Sequence, residues 1–263
     1  MSKEFFSKLL LDSYGIFLDE VDRLDIVRKM VIKHCDDYLQ DLKNKKIMKI
    51  NHDPLLVEMA NSLTSGDNII SSNDLIKVHL LAEINRTEAN KTKIPDLIRN
   101  MIIVHLVSSY ESYLRRNLYV YHIYQPNSLI TINSTKNLSY EEILSCDSYE
   151  KILIKIIEKE LDTLFRGGID DIIKYFKIRL KLDLESIDSR FNSKDWDKFR
   201  ERFFRRNIIS HNEGISNEEY ISKTKRQTNT GELLDIDDHY VTNSFKHFLD
   251  HASFLKHLFE KKL

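Results

Sequence analysis

Only three prolines, Pro54, Pro95 and Pro126, and six glycines interrupt the 263 residues of this chain. Inside a helix a glycine costs about 1 kcal/mol relative to alanine, and a proline about 3 kcal/mol. With so few of either, little stops a helix once it has started, and the expected fold class is all-α with long helices. Many Ile and Asn residues work mildly against helix, but the spacing of the apolar residues works for it.

Phe17, Val21, Leu24, Val27, Val31, Cys35, Tyr38 and Leu42 fall at steps of three and four, so residues 16–45 read as one amphipathic helix. Asp12 or Ser13 would cap it, and Lys43 to Lys46 suits its C-terminus. A shorter helix at 53–63 and a loop at 62–73 follow. Asn73 or Asp74 caps a segment running to Arg86, residues 87–93 form a polar break, and Pro95 starts a helix ending at Tyr124. The stretch from Met101 to Val107 is apolar nearly all round, as in a buried central helix. Residues 127–137 read as loop with room for a short strand. Ser139 to Glu142 and Asp147 to Glu150 carry capping-box spacing. Helices are expected from 149 to Arg166, over 169–181, from Ser193 to a stop at Gly214, and over 240–261, with a turn after Ser216. Residues 223–238 read as irregular or as one small hairpin.

Charged residues make up 31% of the chain, yet the net charge is only −1, so affinity for an anionic polymer must come from a local patch. Cys35 and Cys146 form no disulfide framework or metal-type pair. No apolar run reaches the roughly eighteen residues that span a bilayer. The first fifteen residues lack the pattern of a cleaved leader. The expectation is a soluble, cytoplasmic protein with no membrane partner.

The stretch "RRNIISHNEGIS", Arg205 to Ser216, gathers two arginines, an asparagine and a histidine before a glycine stop. Asn207 and His211 are four apart and share a helix face, whereas Arg206 and His211 diverge by roughly 140° on a straight helix. They meet on one substrate if the helix loosens near Gly214 or if two copies of it face each other. RNA is cut without metal when a base removes a 2′-OH proton and the oxygen attacks the adjacent phosphate. A histidine, with an ordinary pKa near 6.5, suits that transfer. An arginine fork suits the charge that builds on phosphorus. The plainer alternative is a basic last turn answering the helix dipole.

Within "RFFRRNIISHNEG", Arg206-Asn-Ile-Ile-Ser-His211 resembles the Arg-x4–6-His signature of the HEPN superfamily, in the form seen in prokaryotic members related to RNA-targeting toxins. "IIVHLVSSYESYLRRNLY" resembles the family's earlier helix with an acidic residue in an apolar stretch, a place filled by Glu111. The resemblance covers roughly 93–263. It implies a helical bundle over 93–263, preceded by an N-terminal helical region, 1–92, of no recognised kind. It implies a homodimer with the signature at its interface, and a metal-independent endoribonuclease without cofactor. The family's roles are in toxin–antitoxin, abortive-infection or antiviral settings, with an antitoxin or other regulatory protein as a second partner. Arg206 and His211 would be catalytic, Asn207 a polar helper, and Glu111 would orient Arg206 or the histidine. Glu111 could instead pair with Arg115 on its own helix. The family also holds non-catalytic members that bind RNA, a nucleotide or a partner protein.

Lys198, Arg202, Arg205, Lys223, Lys225 and Arg226 form a basic series around the signature and are the candidate RNA-phosphate contacts. Arg200 belongs to the same cluster. Phe199 and Phe203 are interleaved as core. His247 and His251 share spacing for a metal but lack a third ligand, and read as surface or packing residues. No phosphate-binding glycine loop is present.

Overall fold

The computed structural model describes residues 3–44, 72–130, 138–187, 192–224, 226 and 228–262. The expected helix at 53–63, most of the loop at 62–73, the possible strand after Ile130, and Lys225 lie outside them. The chain is all-α: nine helices and no strand occur among the described residues. They are α1 (Lys3–Asn44), α2 (Ser72–Tyr124), α3 (Tyr140–Leu144), α4 (Tyr149–Arg166), α5 (Ile169–Arg179), α6 (Leu184–Ile187), α7 (Ser193–Asn212), α8 (Glu218–Thr224) and α9 (Asp238–Lys262). No described helix is long and apolar enough to cross a membrane.

Two of these helices run further than their local sequence suggests. α1 begins at Lys3, not near residue 16, because Phe6, Leu10 and Ser13 continue the stripe of Phe17 and Val21, and all five are buried. Gly15 sits in the helix without ending it. α2 continues through the expected polar break, with Pro95 in its interior. A proline removes one donor and strains one turn, but residues 87–93 contain no glycine, and helix formers carry the chain through.

The chain divides into a larger unit, Met1–Leu24 with Met101–Leu263, and a smaller one, Asp25–Asn100. In the smaller unit, Arg28 bonds Asp25 at 2.8 Å and Arg99 bonds Asp96 at 2.8 Å, each one helical turn away.

In the larger unit the core forms around the C-terminal half of α2. Ile102, Ile103, Leu106, Val107, Tyr110, Tyr113, Leu114 and Leu118 are buried. The Met101–Val107 stretch is not buried all round: Met101 is exposed, and His105 pairs with Glu20 of α1. Phe17 stacks on Tyr113 with ring centroids 5.3 Å apart, and Tyr110 meets Phe199 edge-on at 5.6 Å and Phe248 at 4.9 Å. Each such ring contributes about 1.5–3 kcal/mol by leaving water. Two tyrosines also lock α2 to α9: Tyr113 donates to the Ala252 carbonyl at 2.9 Å, and the Tyr110 hydroxyl bonds His251 Nδ1. α9 faces them with Val241, Phe245, Phe248, Ala252, Leu255 and Phe259, a single stripe at helical spacing.

The caps explain where α7 begins and ends. Asn192, one residue before the expected Ser193, accepts from the amides of Lys194 and Asp195 at 2.9 and 3.1 Å, and Asp195 returns a carboxylate to the Asn192 amide. At the far end Glu213 turns left-handed, φ 52°, and Gly214 follows at φ 79° with its amide on the Ile208 carbonyl at 3.0 Å. Of the two courses open to 223–238, its described residues take the irregular one: they form no hairpin, and one antiparallel bridge, Ile215 to Leu233, closes over α8. Ser216 and Glu232, and Gly214 and Leu234, bond beside it at 2.9 and 3.0 Å.

Candidate functional site

α7 carries the signature. Arg206 leaves it toward α2, where its Nη2 donates to the Glu111 carboxylate. The side chains are 24% and 19% exposed, so the pair lies at the edge of the core without being sealed in it. Burial pushes the Glu111 carboxyl up from its ordinary range, and Arg206 pulls it only part of the way back. Arg206 Nε is buried and has no hydrogen-bond partner among the described residues. Glu111 therefore answers Arg206, 95 residues away in sequence, and not Arg115. Arg115 reaches Asp162 on α4.

Asn207 and His211 point elsewhere. Both are exposed, one turn apart on the last part of α7. α7 stays α-helical through Asn212, so the loosening near Gly214 that could swing His211 toward Arg206 does not occur. Within one chain the structure unites Arg206 with Glu111 and leaves His211 beside Asn207, roughly 140° away around the axis.

The basic series divides sharply. Arg202 and Arg205 do not lie on an open basic surface: they are 3% and 1% exposed. Arg205 Nε donates to Glu201 at 3.0 Å and its Nη1 to the Asp235 carbonyl at 3.3 Å, with the guanidinium 5.6 Å from the Tyr220 ring centroid and 5.2 Å from that of Tyr240. Arg202 Nε donates to Ser244 Oγ at 2.7 Å. Arginine turns inward here because a buried carboxylate and two aromatic rings replace the water it leaves. Lys198 and Arg226 remain exposed, and their ion contacts among the described residues are long: 3.9 Å to Asp195 and 3.7 Å to Glu201. Lys223 is exposed, 3.6 Å from Asp170. Arg200 pairs with Glu185 at 2.7 Å.

Glu201 is the polar hub that sequence reading missed. Besides Arg205 it accepts the hydroxyls of Tyr220 at 2.5 Å and Tyr240 at 2.7 Å. Its four-residue spacing to Arg205 was the one available signal. His251 packs against Phe199 and Trp196, in keeping with a packing histidine, while His247 lines a polar cavity beside Arg202.

No protein-family model, curated protein or solved structure matches this chain.

Proposed function

We propose that the chain is a metal-independent endoribonuclease of HEPN type, acting as a homodimer in the cytoplasm in a toxin, abortive-infection or antiviral role. The observation that carries this reading is the division of labour on α7: Arg206 is anchored by Glu111, while His211 and Asn207 stand exposed on the same helix. Because α7 is unbroken, Arg206 of one copy and His211 of a second copy would share a scissile linkage across a two-fold axis. His211 takes the 2′-OH proton, or returns one to the leaving 5′-oxygen. The 2′-oxygen attacks phosphorus as the bond to the 5′-oxygen breaks. Arg206 steadies the pentacoordinate oxygens. The products carry a 2′,3′-cyclic phosphate and a 5′-hydroxyl. Glu111 is a positioning residue, and Asn207 holds the imidazole or a ribose hydroxyl. An antitoxin or other regulatory protein would control the activity.

The second reading is a non-catalytic helical module that holds RNA, a nucleotide or a partner protein. It is favoured by the pairing itself, since Glu111 already answers the charge of Arg206.

Incubation with RNA in excess EDTA separates the two. The nuclease reading expects cleavage to cyclic-phosphate ends, lost in Arg206→Ala and in His211→Ala while folding and RNA retention persist. Mixing the two inactive variants restores about a quarter of wild-type activity, because half of the dimers then carry one intact composite site. Wild type that binds RNA without cutting it assigns the module reading, and cleavage by His211→Ala rejects the nuclease mechanism.

A further inference from the structure

Among the described residues, the buried side chains of full formal charge are Glu201, Arg202 and Arg205, all on α7. One negative charge stands against two positive. Glu201 is matched to Arg205, and its remaining bonds go to Tyr220 and Tyr240. Arg202 has neutral partners only: Ser244 Oγ at Nε, the Lys198 carbonyl at Nη1, and the Tyr240 ring 5.4 Å from its guanidinium carbon. It forms no close ion pair with a described residue, and Glu201 and Asp195 offset its burial only in part, so that burial leaves its pKa lowered. An interior cation without a direct ion-pair partner is costly, and such a cation opening onto a cavity marks a place for an anion.

A cavity of about 520 Å³ lies on Arg202. Lys198 and Arg226 stand on its wall with loose ion contacts, each free to swing, and Asn243 and His247 add polar atoms. Burial first, then the charges of Arg202 and Lys198, push the His247 imidazole down to about 4, and Asp195 and Asp250 offset only part of that push. Three carboxylates also line the cavity: Glu201, already held by Arg205 and two tyrosine hydroxyls, and Asp235 and Asp237, exposed on its wall, where they suit hydroxyl donors of the same ligand. The volume suits a group the size of a sugar phosphate.

We infer that this cavity is an oxyanion site that takes a phosphate group, supplied either by an RNA chain or by a free phosphate ester. The phosphate seats on the Arg202 guanidinium, and Lys198 and Arg226 close on it. The site is separate from the signature residues: neither Arg206 nor His211 lines it. It therefore stands whether or not the chain cuts RNA.

Calorimetric titration of the full-length protein with inorganic phosphate, at constant ionic strength, tests this. Wild type is expected to bind one phosphate saturably, and Lys198→Ala/Arg226→Ala to bind it about tenfold or more weakly. Both replaced residues are exposed, but Arg226 lies 3.7 Å from Glu201, so Lys198→Ala alone, which leaves that contact in place, is measured beside the double variant and is also expected to weaken binding. A second readout is the His247 resonance, whose pKa should rise when phosphate binds. Displacement of phosphate by a short 2′-O-methyl RNA, which cannot be cut, identifies the chain as the source; failure to displace it identifies a free ester. Absence of saturable phosphate binding, equal affinity in the double variant, or an unmoved His247 pKa overturns the assignment.

Discussion

Removing either member of the Arg206–Glu111 pair should expose how strongly α7 is tied to α2. The two side chains are three-quarters or more buried, which places the pair between two limits. An exposed ion pair is worth about 0–1 kcal/mol. Breaking a fully buried one costs about 3–5 kcal/mol. A double-mutant cycle through Arg206→Met, Glu111→Gln and the combined variant should give a coupling of about 1–3 kcal/mol. The two single variants will not be alike. Because burial raises the Glu111 carboxyl above its ordinary 4.5, the group's contribution is full below that value and falls away as pH rises through the folded-state value. Glu111→Gln removes this loss and should be neutral or stabilising at pH 8. Arg206→Met strands the carboxylate and raises its pKa further, so it should destabilise more at pH 8 than at pH 5. Urea denaturation of the four proteins at both pH values measures all of this. A coupling under about 0.5 kcal/mol, or equal losses for Arg206→Met at the two pH values, refutes the anchoring role.

Two further outcomes follow from the packing. Burial opposes ionisation of Glu201, but Arg205, Arg226 and the two tyrosine hydroxyls outweigh it and hold the carboxyl below its usual range; that stability is present above the ordinary value of 4.5 and lost as pH falls through the folded one, and Glu201→Gln should cost about 3–5 kcal/mol at pH 7 in chemical denaturation. Gly214→Ala, at φ 79°, should lower stability by about 1–2 kcal/mol in thermal unfolding, while the space beside it, 3.6 Å to Leu233, adds no clash.

Much of the helical layout was legible because apolar spacing and scarce breakers act locally. The stripe of α9, the stop at Gly214 and the capping box at Ser139 could be read residue by residue. Pro95 misled because a proline's local cost does not decide whether the surrounding turns continue. The inward turn of Arg202 was illegible for another reason. Its partners Ser244 and Tyr240 come from α9, some forty residues on, and nothing near Arg202 in sequence marks it as buried. Glu111 and Arg206 were each singled out by resemblance to the family's motifs, and their contact across two helices appears only in three dimensions.

The larger unit also imposes an order on synthesis. Phe6, Leu10 and Phe17 are made well before their cover: Tyr113, the ring on which Phe17 stacks, follows Phe17 by 96 residues. At ordinary elongation rates that is a wait of roughly 5–20 s. During it the apolar face of α1 lacks the rings of α2 that cover it in the folded chain, and contacts so distant in sequence are of the kind that slows folding.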